Sequence, residues 1–176
     1  MKILALTAAI LGGVLFAAGA ASAQQPAPNP LDIIPEKMPF STPYGAPITL
    51  ERALVVIHAA IAESTKRGWQ MNVTVLDSGG NLVAFERMDG AQLASISIAE
   101  HKARVAVRYR RPSRVFEDAI QKLGYNYIMT LDDVIGSRGG IPLIENGRLI
   151  GAIGVSGGTG SQDEVVATAG AAVVNK

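Results

Sequence analysis

The chain contains no cysteine. That excludes a disulfide framework, a thiolate metal site, a cysteine nucleophile and a lipid-modified N-terminal cysteine. Any fold must therefore be held together by its core. Histidine is almost as scarce, with His58 and His101 the only two. They form neither an H-x-x-x-H nor an H-E-x-x-H spacing, which excludes a zincin-type centre. Aromatic residues make up 5% of a chain that is 48% hydrophobic, so the interior must be Ala, Val, Ile and Gly, packed closely rather than bulkily. There is no surplus of charge either. Once Lys2 is removed with a leader, 15 basic residues face 15 acidic ones, a balance that points to neither a nucleic acid nor a membrane surface as partner.

What is present begins with an N-terminal leader. Lys2 supplies a positive start, Ile3 to Ala18 an apolar run, and Ala21-Ser22-Ala23 a small-x-small cleavage site. This is the three-part order of a secretory signal peptide, and the run is shorter than the roughly 20 residues of a spanning helix. The expectation is a chain that starts near Gln24 and works in the periplasm or outside the cell. Gln24 to Pro47 carries seven prolines and reads as a semi-extended arm or linker. Residues 48–176 are enough for one domain.

Thr49 predicts a helix N-cap, the stripe Leu50, Leu54, Ile57 and Ile61 an amphipathic helix, and Gly68 its end. Two β-type runs, Asn72–Leu76 and Leu82–Phe85, flank the turn Asp77-Ser78-Gly79-Gly80-Asn81. A second helix is expected over Ala91–Arg110, and a third from Pro112-Ser113 to about Leu123. A glycine loop, Gly136–Gly140, leads into a hairpin, Ile141–Glu145 and Arg148–Val155, around Asn146-Gly147. Ser161 with Glu164 reads as the capping box of a last helix. The order α-β-β-α-α-β-β-α, with two hairpins joined in one antiparallel sheet under helices, is an α+β sandwich.

The second helix has two apolar sides. At about 100° per residue, Ile96, Ala99, Ala103 and Ala106 fall on one and Ala94, Ile98, His101 and Val105 on the other. The second side must meet the third helix, another subunit or an apolar ligand.

Gly154-Val155-Ser156-Gly157-Gly158 fits the pattern of a nucleophile elbow, but no histidine follows Ser156, so that chemistry fails. Gly157–Ser161 leads into a helix N-terminus, where an anion is favoured. Gly136–Pro142 would let backbone approach a ligand closely, with Arg138 available to a carboxylate. A lone imidazole with an open position opposite suits a heme iron better than a closed zinc site, and Tyr109, Tyr125 and Tyr127 are the other candidate iron ligands.

Several ordered stretches together resemble one family: Val73–Leu82, Arg87–Ala91, Ala99-Glu100-His101-Lys102-Ala103, Arg111-Pro112-Ser113, Gly139–Pro142, Ile153–Gly158 and Gln162-Asp163-Glu164 with Ala167 and Gly170. The chain from about residue 48 to 174 is similar to the GlcG/HbpS-like heme-binding family, also labelled a heme-degrading domain. The resemblance implies a profilin-like or PAS-like sandwich, homo-oligomers, and binding of heme or a related tetrapyrrole, in some members iron. It does not imply turnover, and no catalytic constellation stands out in the sequence. His101, in one of these stretches, and His58, in the first helix, are the candidate iron ligands. Ser113 offers a hydroxyl, Arg104, Arg108 and Arg111 offer partners for propionates, and Arg138 with Gly139 and Gly140 forms the loop. The leading expectation is an exported heme carrier, buffer or sensor component. The alternatives are an enzyme or accessory subunit binding a small hydroxy- or keto-acid, and a structural oligomer or partner-binding domain.

Overall fold

The computed structural model describes residues 29–175. The signal-peptide reading of residues 1–23 and residues 24–28 of the arm lie outside the described residues. The described residues fall into two compact units, residues 29–36 and the chain from Lys37 onward. In the first, Pro30–Asp32 make a single 3-10 turn, closed by the Asp32 N–H donating to the Asn29 carbonyl at 2.9 Å and capped by the Leu31 N–H donating to Asn29 Oδ1 at 3.0 Å.

The second unit contains α1 (Leu50–Arg67), β1 (Asn72–Asp77), β2 (Leu82–Arg87), α2 (Ala94–Tyr109), α3 (Arg114–Leu123), a 3-10 turn (Asn126–Thr130), β3 (Gly140–Glu145), β4 (Arg148–Ser156) and α4 (Gly160–Ala171). The two hairpins join through β1 and β4 into one antiparallel sheet of order β2-β1-β4-β3. This is the expected α+β sandwich. Helices α1 and α4 lie over one face and α2 over the other, with α3 and the 3-10 turn outside α2.

Local chemistry accounts for most element ends. Thr49 Oγ1 accepts from the Arg52 N–H at 3.3 Å, and Gly68, at φ 69°, closes α1 with its N–H on Ser64 and Thr65 carbonyls. Asn146 and Gly147 both take positive φ, 51° and 72°, as a tight hairpin turn requires.

Three expectations shift. The N-cap of α4 is Thr159, not Ser161: its hydroxyl accepts from Gln162 N–H while Gln162 Oε1 accepts from Thr159 N–H at 2.9 Å. The same S/T-x-x-E/Q pattern sits two residues earlier, and there it also carries Asp163 into the first turn, where it meets α2. Helix α2 begins at Ala94 rather than Ala91. In α1 the buried stripe is Ala53, Val56, Ile57, Ala60 and Ser64, and Leu50 is 56% exposed. The reason is α4: a β-carbon on Gly170 would come within 3.1 Å of the Ala60 methyl, so the two helices meet through small residues.

The main core fills the α1/α4 side, with Val73, Val75, Ile153 and Val155 of the central strands against Val56, Ile57, Val166 and Ala167. On the other side α2 lies almost in contact with the sheet backbone. A β-carbon on Gly154 would overlap the Ala99 carbonyl oxygen, and one on Gly140 the Lys102 carbonyl oxygen. Glycine is the only residue that lets the helix come this near.

Candidate functional site

The two predicted apolar sides of α2 are used differently, and on the second only Val105 is buried, Ala94 being exposed and Ile98 half-buried. Ala99, Ala103 and Ala106 pack on the sheet, while Val105 is covered by Phe116 and Ala119 of α3 and by Ile128. At 100° per residue the buried arc of α2 runs from the sheet side round to Val105, and His101, one turn earlier, falls at its rim. His101 is half-buried, yet its Nε2 is fully enclosed and has no hydrogen-bond partner among the described residues. His58 is elsewhere. It lies exposed on α1, over the opposite face of the sheet, with Nε2 3.2 Å from Glu86 Oε1. The sheet separates the two imidazoles, so one copy of the chain cannot bring both to a single iron.

The glycine loop is taken up by the fold. Ser113 is buried, its Oγ accepts from the Gly140 N–H at 2.9 Å, and its N–H donates to the Gly140 carbonyl at 2.9 Å. The close approach that Gly139 and Gly140 permit is to α2 and α4: Gly139, at φ 116°, leaves room beside Asp163 and Lys102. Arg138 donates to Glu117 at 2.7 Å through its backbone N–H and Nε, and reaches Glu164 and Asp118 at 3.4 and 3.5 Å. Burial alone would raise the pKa of Glu117, but hydrogen bonds and charge from Arg138 outweigh it and hold the carboxyl below the ordinary value. Arg138 is thus a structural clamp between the loop, α3 and α4.

The Gly157–Ser161 turn serves its own helix in the same way. Gly158 N–H donates to Asp163 Oδ1 at 3.0 Å and Thr159 N–H to Gln162. With Glu117, Asp118 and Glu164 around Arg138, the neighbourhood is poor ground for a carboxylate ligand. Ser156 is buried and donates to Ser95 Oγ at 3.1 Å, so it presents no nucleophile.

What the sequence reading missed is an apolar groove and a buried ion pair. The groove, about 450 Å³, lies along α3 and the 3-10 turn and is walled by Phe40, Val115, Phe116, Leu123, Tyr125, Tyr127 and Ile128. Its floor, Phe116 and Ile128, is the layer that covers Val105 on the other side. Arg111 lines it too. The guanidinium lies 3.5 Å from the centre of the Phe40 ring, 5.5 Å from Phe116 and 5.9 Å from Tyr109, and among the described residues only Nε has a partner, the Tyr109 carbonyl at 3.0 Å. Burial, and then the charge of Arg110, draws its pKa below the ordinary guanidinium value. Tyr125 and Tyr127 in the lining make no hydroxyl hydrogen bond among the described residues, whereas the Tyr109 hydroxyl donates to the Asp132 carbonyl at 2.7 Å. Arg108 pairs with Asp133, and Arg104 makes no ion pair among the described residues.

The ion pair joins Lys102 Nζ to Asp163 Oδ2 at 2.6 Å, with the side chains 1% and 2% exposed. Burial raises the Asp163 pKa more than Lys102 and the backbone N–H donors lower it. No lining of the groove touches this pair, and it serves to pin α2 to the start of α4.

A family model described as haem degrading protein HbpS-like matches residues 48–172. Protein GlcG of Escherichia coli K12 is 36% identical over 109 residues, 62% of this chain and 81% of that protein. The crystal structure of HbpS superposes with a TM-score of 0.69 at 32% identity, covering 75% of this chain and 93% of its own. The crystal structure of a PduOC:heme complex superposes at 0.67 with 28% identity, covering 74% and 96%.

Proposed function

This chain belongs to the HbpS-like haem degrading family, and from that premise we propose that it binds heme or a related tetrapyrrole in the α3 groove, as an exported carrier, buffer or sensor component. The observation that carries the reading is the groove itself. Its walls are mainly aromatic and aliphatic, it opens a space of about 450 Å³ to a ligand, and Arg111, its one cation among the described residues, has donors to spare there. A related solved structure, that of PduOC, is titled as a heme complex.

The residues fit such a group. The apolar walls would hold the macrocycle, and Arg111 would pair a propionate by a charge-assisted hydrogen bond. Tyr125 and Tyr127 offer phenol oxygens within the lining, and His101 offers an unpartnered nitrogen on the far side of the floor. Were heme held in the groove, the iron it carries would find its nearest protein donors in Tyr125 and Tyr127, since His101 does not line the groove. The residues themselves bind and orient. Asp118, the carboxylate in the lining, is held by Lys122 at 2.9 Å and Arg114 at 3.4 Å, hydrogen bonds that keep its pKa below the ordinary value.

Hemin titration of the chain lacking residues 1–23, followed by absorbance, tests this. A saturable Soret shift is expected, with the band altered by replacing Tyr125 or Tyr127 and unaltered by His58→Ala. Uptake no better than that of an unrelated protein would end the proposal. A band altered by His58→Ala alone would move the site to α1.

A further inference from the structure

The family match begins at residue 48, yet one wall of the groove comes from residue 40. The segment from Lys37 to Ile48 is a strap sewn to the domain. Leu149 N–H donates to the Pro43 carbonyl at 2.9 Å, and Gly45 and Ile48 donate to Leu149 and Ile150 at 2.8 and 2.9 Å. The Tyr44 hydroxyl lies 2.9 Å from the Arg108 carbonyl and 3.2 Å from that of Val107, so it caps the end of α2. Arg110 Nη1 donates to the Thr42 carbonyl at 3.2 Å. Phe40 stands at the head of this strap at φ 58°, a left-handed conformation that bulky residues rarely adopt. Held that way, its ring lies under Arg111, whose Cζ is 3.5 Å from the ring centre.

We propose that Phe40 is a positioning residue for the groove: stacked on Arg111, it fixes the guanidinium so that its free donors meet the carboxylate of a flat, anionic ligand. The inference rests on the heme reading above and adds to it a specificity determinant outside the family domain. The physical case is the state of Arg111. A flexible arginine in water spends rotamer freedom whenever it orders against a ligand. Here stacking on Phe40, with Phe116 and Tyr109 nearby, orders it beforehand and leaves Nη1 and Nη2 unpaired among the described residues. Recognition should therefore depend on the ligand's carboxylate and on the ring together.

The test compares hemin with its dimethyl ester, which keeps the macrocycle and loses the carboxylates, on the intact chain and on Phe40→Ala, Phe40→Tyr and Arg111→Lys. The intact chain should prefer hemin over the ester. Phe40→Ala should reduce that preference by about five- to tenfold, the range of a partly desolvated cation–π contact. Phe40→Tyr should restore it, and Arg111→Lys, which keeps the charge but not the flat face, should not. A residue that only walled the groove would weaken both ligands equally, so an unchanged preference in Phe40→Ala overturns the inference while leaving heme binding in place. Failure of the intact chain to take up hemin overturns the functional reading and this inference with it. Thermal unfolding of each variant separates a strap that has come loose from a lost contact.

Discussion

The two faces of the sheet are built from different materials. Toward α1 and α4 the packing is apolar and depends on small residues, as Gly170 against Ala60 shows. Toward α2 and α3 the chain buries Asn72, Thr74, Ser95, Lys102, Ser113 and Ser156, with Asp163 reaching in from α4. Of the four enclosed polar side-chain atoms without partners among the described residues, Asn72 Oδ1, Thr74 Oγ1 and His101 Nε2 belong to this side, and Ser64 Oγ to α1. Such atoms cost stability unless something pairs them. One face therefore supplies most of the hydrophobic stabilisation. The other accepts polar costs in its inner layer and carries the groove in its outer one.

The contrast breaks most visibly at Lys102. Removing one member of a buried ion pair leaves an uncompensated charge, at a cost of about 3–5 kcal/mol. Lys102→Met should lose that much in urea unfolding, whereas Ile57→Val in the apolar core should lose about 0.5–1.5 kcal/mol. Adding Asp163→Asn to Lys102→Met should recover more than half of the loss. The pH dependence has a definite sign. The folded pKa of Asp163 is raised above 3.8, and losing Lys102 raises it further. Its folded state is then favoured at low pH, and that advantage disappears as pH rises through the folded value, so the Lys102→Met defect should grow from acid to neutral pH. A defect independent of pH would mean that Asp163 has found another cation.

Next in size are the glycines. Gly154→Ala would drive a methyl into the Ala99 carbonyl and the Ala103 N–H of α2, backbone that cannot give way. Gly170→Ala meets the end of the Ile153 side chain at 2.6 Å and the Val56 carbonyl at 2.9 Å. Overpacking of this kind costs about 1–3 kcal/mol, and Gly154→Ala should stand at or above the top of that range and Gly170→Ala below it. Equal losses would show the two faces to be equally rigid.

A smaller effect separates the surface clamp from the buried pair. The pKa of Glu117 is held below 4.5 because Arg138 outweighs the effect of burial. Its contribution is present above 4.5 and is lost as pH falls through the folded value, the reverse of Asp163. Thermal scans from pH 7 to pH 3 should show Tm falling at the acid end, and Glu117→Gln should flatten that fall by about 1 kcal/mol or less.

These two ion pairs also mark where the sequence was legible. Arg138 was noticed because three glycines surround it, although its partners proved to be the protein's own carboxylates. Lys102 and Asp163 stand in two of the family-like stretches, but nothing local to either assigns it a role. Only Asp163, 61 positions away, makes the burial of Lys102 possible, and no local pattern reports a partner so distant. Element order, the Thr49 and Gly68 caps and the Asn146-Gly147 turn were readable because neighbouring residues determine them. The α4 cap was displaced by two residues because Thr159 and Ser161 both satisfy one local rule, and the choice falls to Asp163 and its contact with α2. The groove was invisible for the same reason as Lys102: Phe40, Arg111 and Tyr127 converge only after the strap and α3 have folded, though the tyrosines had been marked as donors.

His101 gives the finest test of the division between the faces. Its Nε2 is enclosed without a partner, so replacing the imidazole by an apolar ring of similar size removes a desolvated polar atom rather than a contact. His101→Phe should leave stability unchanged or raise it by up to about 1 kcal/mol, measured by urea unfolding of the ligand-free chain. His58→Phe gives the control, since that side chain is 64% exposed beside Glu86 and has no such penalty to relieve. If His101→Phe stabilises the free chain and also changes the hemin spectrum, the imidazole is kept for its ligand at a cost to the fold. If it destabilises the chain by more than 1 kcal/mol, His101 belongs with the packing residues, and the α2 face is less specialised than its unpaired atoms indicate.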